Sequence, residues 1–314
     1  MTQMVSPGQP TSELFGSEFL GRLEKLSLLS RRLAKGGLVA ERRSRNLGAS
    51  QEFADYRNYV RGDDLRRIDW NIYGRLEKLF VKLYESEEDL QVDVLVDCSA
   101  SMRWAGFDPG SRQAAQAQSK LDYSRLLAAG LAYIALAKLD RVKVHFFARD
   151  LLSGSRRHHG KKSFQKVLHQ LEQVPGEGGE TDFNQTLATF SRRNPACDMC
   201  LVVSDFLVPQ GPHEIFRRTL TRRAQLILLQ VIHPLEWNPQ LSGSMRLRDS
   251  ETTRELDSRL GPGQVRRYRE KMRQLSDDLA TYSRRQGLTY VRAFTDVPFE
   301  ELILRTMREQ GVLR

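Results

Sequence analysis

Five oxygen-bearing residues stand out by type and spacing: Asp97, Ser99 and Ser101 in a D-x-S-x-S run, then Thr181 and Asp205. The run follows Val92-Asp93-Val94-Leu95-Val96, a short β-branched stretch of the kind that occupies a central strand. Thr181 comes just after the glycine-rich segment 175–180, and Asp205 directly follows Leu201-Val202-Val203-Ser204. All five therefore fall at the carboxyl ends of strands or in the loops beside them, where open α/β sheets build their sites. A hard divalent cation such as Mg²⁺ (or Mn²⁺) wants six oxygens, keeps several waters and needs few anionic ligands. Direct ligation by Ser99, Ser101 and Thr181, with Asp97 and Asp205 holding them and the waters, would satisfy such an ion and leave one position open. A carboxylate from another molecule could fill that position. Ser99 and Ser101 lack an identifiable base, which argues against a hydrolase triad.

The elements that must position these residues alternate along the chain. Strands are expected at 92–97, 142–148, 199–203, 225–232 and 288–294, with helices at 121–138, 164–173, 183–193, 213–220, 264–286 and 298–310 between and after them. Residues 245–259 read as a strand or hairpin excursion. The expected fold is a doubly wound, mostly parallel sheet in a Rossmann-like, three-layer α/β/α domain over 88–314. Residues 1–87 precede it. There, Phe19, Leu23, Leu26 and Leu33 space an amphipathic helix that starts near Pro10-Thr11-Ser12-Glu13 and stops at Gly36-Gly37. Residues 38–75 read as an ordered extended arm anchored by Phe53, Tyr56, Tyr59, Ile68 and Trp70, and 78–84 alternates as a strand.

Composition sets the outer limits. The chain has 314 residues, 40% of them hydrophobic, which supports one large domain with an appendage and excludes wholesale disorder. No apolar run reaches the roughly 18 residues of a spanning helix, and the amino terminus lacks the pattern of a secretory signal, so a cytoplasmic location is expected. Three cysteines imply no disulfide framework; Cys197 and Cys200 form a lone C-x-x-C without the further ligands of a zinc knuckle. Gly160-Lys161-Lys162-Ser163 falls short of a phosphate-binding loop, because Ser155 stands where the first glycine is needed and Lys162 where Ser or Thr is needed. His158 and His159 read as a solvated loop. The formal charge is +10, and residues 31–75 hold eleven Lys or Arg against six acids. No nucleic-acid-binding motif accompanies them, and interleaved Asp63, Asp64 and Asp69 point instead to arginine–aspartate pairing across an arm pinned by Trp70.

Two resemblances sharpen this reading. Asp97, Ser99 and Ser101, followed in order by Thr181 and Asp205, resemble the metal-ion-dependent adhesion site (MIDAS) of von Willebrand factor A (vWA) domains. The stretch from Tyr56 to Trp70, containing Arg61-Gly62-Asp63-Asp64-Leu65-Arg66-Arg67-Ile68-Asp69-Trp70, followed by Leu79-Phe80-Val81-Lys82 and Glu85, is similar to the signature of bacterial DUF58 proteins. That resemblance implies a vWA-type domain behind the arm and a partnership with a MoxR-type AAA+ ATPase in chaperone-like or assembly work. The expected function is metal-dependent binding of a protein partner that offers a carboxylate, not enzymatic turnover. The alternatives are a metal-dependent phosphoester hydrolase and nucleic-acid binding through the basic arm.

Overall fold

In a computed structural model, which describes residues 14–36, 52–85, 89–106, 118–152, 156–174, 181–207, 224–240, 243–248 and 255–309, the β-branched run at 92–96 lies in the middle of a six-stranded sheet. In chain order the elements are α1 (Ser17–Gly36), β1 (Glu52–Asn58), α2 (Trp70–Leu76), β2 (Phe80–Glu85), β3 (Gln91–Asp97), α3 (Lys120–Ala137), β4 (Arg141–Phe147), β5 (His158–His159), α4 (Phe164–Glu172), α5 (Phe183–Arg193), β6 (Met199–Ser204), β7 (Gln225–Ile232), α6 (Pro234–Trp237), β8 (Gly243–Arg248), β9 (Glu255–Leu260), α7 (Pro262–Gln286), β10 (Thr289–Phe294) and α8 (Phe299–Glu309). The sheet runs β10-β7-β6-β3-β4-β5, with every neighbouring pair parallel except the short edge strand β5 on β4. The chain winds outward from β3 to one side and from β6 to the other. The winding therefore reverses between β3 and β6, the position at which open α/β sheets open a crevice.

Alternation along β3 feeds two cores. Val92, Val94 and Val96 pack on one face with residues of α3, α4 and α8, while Leu95 on the other joins Phe183, Leu187 and Phe190 of α5 and Leu279 of α7. α3 is apolar nearly all round because it is covered nearly all round, the pattern of a helix sandwiched between sheet and outer helices. Gly130 lets α8 approach α3: a Cβ there would stand 2.5 Å from the Ile303 Cδ1. Phe19, Leu23 and Leu26 of α1 are buried in the same core, the Phe19 ring 5.3 Å from Phe299, and Arg22 pairs with Glu300. The amino-terminal helix is thus a layer of the main core, not a separate body.

The arm differs from expectation. It is a two-stranded antiparallel sheet of β1 and β2, with α2 carried between the strands. Trp70 does not pin it: 61% of its surface is exposed, as the first residue of a helix with no buried positions. The pin is the residue before it. Asp69 is buried and caps α2 by accepting from the amides of Asn71 and Ile72; it also accepts from the Tyr56 hydroxyl at 2.9 Å and pairs with Lys82 at 3.1 Å. Arg57 does pair with Asp63, at 2.8 Å. The histidine pair also departs from the loop expected of it, since His158 and His159 form β5 against Val142 and Arg141. The excursion near 245–259 is the β8–β9 hairpin. The helix start at 10–13, the loop at 175–180 and the helix at 213–220 lie outside the described residues.

The Lys82 ammonium, together with Tyr56 and the α2 amides, holds the Asp69 carboxyl at about 2 against the cost of its desolvation. A carboxyl depressed in the folded state lends stability that is complete above its unfolded value and is lost as pH falls through the folded one. The arm should therefore resist pepsin at pH of about 5 and become cleavable between Asp69 and Leu76 as pH drops below about 3. Asp69→Asn should be cut there at both pH values; equal resistance of the variant at the higher pH would show that the carboxylate is not the pin.

Candidate functional site

Asp97 ends β3, on the Leu95 face, and the chain then turns sharply. Its Oδ1 accepts from the Ser99 amide at 2.9 Å, an Asx turn that swings the serines over the strand end. Cys98 continues the pairing with Phe147 through its amide at 2.8 Å, and fully buried Cys98 and Met102 anchor the turn on either side. Between those anchors, the Ser99 and Ser101 hydroxyl oxygens lie 3.1 Å apart. Neighbouring ligands of an octahedral Mg²⁺ at about 2.1 Å stand about 3.0 Å from each other. Ser99 is covered and Ser101 partly open, so the approach is from the Ser101 side.

Across the switch point, β6 delivers two more polar residues. Ser204 donates its hydroxyl to Asp97 Oδ2 at 2.6 Å, which stitches the two strand ends together. Asp205 follows, with Oδ1 accepting from the Leu207 amide and Oδ2 from the Lys120 ammonium at 2.8 Å. Phe206 sits at φ +53° while wholly buried, a left-handed conformation that costs a bulky residue of order 1–3 kcal/mol and recurs at functional sites. Gln230 of β7 explains how the turn is held: its amide donates to the Asp205 carbonyl at 3.1 Å, and its own oxygen accepts from Ser276 and Tyr290.

Lys120, the first residue of α3, is fully buried with its ammonium between Asp205 and Glu236 of α6, the latter at 2.5 Å. Burial alone would depress its pKa, but the two carboxylates outweigh that and hold it above the ordinary lysine value. Glu236 is pushed up by burial, opposed by Lys120. Burial, then repulsion from Asp205, pushes Asp97 up to about 7 against the hydrogen bonds from Ser204 and Ser99. His233, against Trp104 with ring centroids 5.1 Å apart, is lowered by burial and by Lys120, which favours its neutral form.

Thr181 precedes α5, and Asp182 caps that helix by accepting from the Gln185 amide. Two residues on, Phe183 packs 5.3 Å from Phe206 and 5.4 Å from Phe147, the register partner of Asp97. Thr181 is thereby tied through Phe183 to the strand ends that carry Asp97 and Asp205, while its hydroxyl makes no hydrogen bond to the other four residues among those described. The structure thus brings Asp97, Ser99 and Ser101 into direct contact, links Asp205 to them through its chain neighbour Ser204, and leaves Thr181 two residues ahead of Phe183, whose ring packs on Phe147 and Phe206. No group of three or more His, Cys, Asp or Glu is arranged to hold a metal among the described residues, so any ion here would depend on the serine and threonine hydroxyls. A shallow depression of about 380 Å³ lined by Gln91, Arg141, Cys197 and Asp198 lies at the amino ends of the strands, away from this cluster.

Sequence reasoning missed Lys120, Ser204, Glu236 and Gln230. Two signals were available. A lysine at the first position of a helix opposes the macrodipole and calls for a carboxylate partner, and a glutamine inside Leu226-Ile227-Leu228-Leu229-Gln230-Val231-Ile232 requires hydrogen-bond partners in a buried strand.

An open α/β sheet, mostly parallel, with hydroxyl and carboxylate side chains gathered at its switch point defines the general class of this molecule. The particular family follows from comparison: the chain belongs to the family described as "Protein of unknown function DUF58", which matches residues 55–278. Among curated proteins it is similar to uncharacterized protein Rv1480 of Mycobacterium tuberculosis and uncharacterized protein Mb1516 of Mycobacterium bovis, each 23% identical over 262 residues that cover 80% of this chain and 79% of theirs. Among solved structures, matches include the conserved hypothetical protein BatB from Bacteroides thetaiotaomicron, at 16% identity and a TM-score of 0.41, and an aerotolerance-related membrane protein from Bacteroides fragilis, at 15% and 0.41. Each alignment covers 71% of this chain and 98% of the other. No helix among the described residues is long and apolar enough to cross a membrane.

Proposed function

We propose that this protein is a metal-dependent binding module of vWA type, an adaptor or assembly factor in the cytoplasm that works with a MoxR-type AAA+ ATPase. In this reading Ser99, Ser101 and Thr181 hold Mg²⁺ or Mn²⁺ directly, while Asp97 and Asp205 orient the serines and the ion's waters. The single observation that carries it is the 3.1 Å separation of the Ser99 and Ser101 hydroxyls at a strand end that also holds the buried Asp97 carboxylate. Charge supports it as well. Lys120 pairs with Asp205 and Glu236, no cationic side chain pairs with Asp97 among the described residues, and a divalent cation beside Asp97 would favour its ionised form. When bound, such an ion supplies an open coordination position for a carboxylate of the partner. The chain's own part is to fix the serines through the Asp97 turn, to keep Asp205 in place through Lys120 and Gln230, and to leave Ser101 accessible.

The test is calorimetric titration with Mg²⁺ and Mn²⁺, paired with capture of partners from the native lysate with ion or with chelator. Asp97→Asn keeps the shape of the turn while removing the charge, and should weaken ion affinity by about 10–100-fold, the usual effect of removing a residue that orients ligands. The same partners should be recovered by wild type with ion and lost with chelator or in the variant. If wild type and variant recover identical partners in both buffers, the reading is wrong.

A further inference from the structure

Six of the eight large apolar side chains exposed among the described residues lie in one short region of the arm: Tyr56, Val60, Leu65, Trp70, Tyr73 and Leu76. Trp70, Tyr73 and Leu76 recur every third residue of α2, so they share one side of that helix over about 9 Å of its length. They are between 43% and 61% exposed, and Val60 and Leu65 are each 58% exposed. Burying an apolar side chain of this size is worth about 1.5–3 kcal/mol, and clusters of them left in water mark interaction sites.

Charge narrows what could cover this face. Between Tyr56 and Lys82 the chain has seven Lys or Arg against four Asp or Glu. The acids are already engaged in part: Asp63 pairs with Arg57, Asp69 with Lys82, and Asp64 accepts from the Arg66 amide. Arg61, Arg66, Arg75 and Lys78 are exposed, and no carboxylate among the described residues pairs with them. A second copy of the same face would set like charges against each other. The chain's own segment 31–51 has six Lys or Arg against one acid and is no better matched. Nucleic acid would match the charge but not the shape, because stacked bases need flat rings in succession. Here the Trp70 and Tyr73 rings meet edge-on at 86°, with aliphatic Leu76 three residues further along the helix and Val60 and Leu65 exposed just before it in the chain.

We propose that the exposed face of α2 with Val60 and Leu65 is a second, ion-independent docking surface for an acidic amphipathic helix of another protein. Apolar side chains of the incoming helix at i, i+3 or i+4 and i+7 would cover Trp70, Tyr73 and Leu76, and its flanking Asp or Glu would meet Arg61, Arg66, Arg75 and Lys78. The arm then recognises a partner while the sheet end remains free to act separately.

The experiment places a photo-crosslinking phenylalanine analogue at Tyr73 in the full chain, produced in its native host, with the same analogue at exposed Glu24 of α1 as control. Crosslinked segments are identified by mass spectrometry. The expected product is a segment of a different protein with an excess of Asp and Glu and helically spaced apolar residues. It should form equally with Mg²⁺ and with chelator, and its yield should fall about tenfold in Arg66→Glu/Arg75→Glu, since reversing charge at an interface rim works against encounter. Crosslinks to nucleic acid, to this chain, or to a segment without acidic excess would overturn the proposal, as would a yield no higher than at Glu24. Loss of the product in chelator alone would also overturn it and return the partner to the sheet-end site.

Discussion

Lys120→Met should lower the unfolding free energy by about 3–5 kcal/mol, the usual cost of removing one partner from a buried ion pair. The effect is large because of where the ammonium sits. Its side chain is fully buried, and the Asp205 and Glu236 carboxylates that it joins are only 6% and 11% exposed. Methionine fills much of the volume but leaves both carboxylates without a counter-charge, in a cluster that already holds Asp97. The variant thus separates charge from packing. A divalent cation at the serines would offset part of that loss, so saturating Mg²⁺ should raise the urea midpoint of Lys120→Met by more than it raises wild type. Lys120→Met/Glu236→Gln should recover a substantial part of the stability, because one orphaned charge is gone. If the single variant loses less than about 1 kcal/mol, the cluster is not held by Lys120 in the way described. If Mg²⁺ shifts wild type and variant equally, the ion does not share the electrostatics of this cluster.

What the sequence made legible follows from how local each signal is. β3 was plain because Val92, Val94, Leu95 and Val96 are β-branched or aliphatic within a few residues, and Asp97 was plain because it breaks that run. α7 announced itself by Val265, Met272 and Leu279, whose spacing places them on one side, and all three are buried. Lys120 and Glu236 were not legible as a pair, because they lie 116 positions apart and are brought together only by the fold. The arm was misread for a different reason. Trp70 is the kind of residue that usually anchors a core, and only the hairpin geometry shows that Asp69 does the anchoring and that Trp70 faces outward. Composition records what a residue would gain by burial, not whether the chain around it offers a place to be buried. At Trp70 the described residues do not, which is the ground for the docking surface proposed there.

Phe183→Ala should be the most damaging single change on the opposite side of the sheet, costing about 3–5 kcal/mol as large-to-small aromatic substitutions in cores do. Phe183 is buried, stacked on Phe206 at an interplanar angle of 20° and edge-on to Phe147. Phe147 is the register partner of Asp97, and Phe206 follows Asp205 in a left-handed conformation that the surrounding packing must enforce. The ring therefore spans both strand ends of the candidate site and fastens Thr181 two residues upstream. Its loss would relax Phe206, free the Asp205 turn and release the Thr181 segment together. Ion affinity should accordingly fall along with stability, although Phe183 has no polar atom to offer a metal. Phe183→Leu provides the control: it keeps most of the buried volume, so stability should largely return while the aromatic stacking is lost. If ion affinity returns with it, volume alone positions Thr181. If Phe183→Ala binds the ion as wild type does, Thr181 is not a ligand and the site must be completed from elsewhere in the chain.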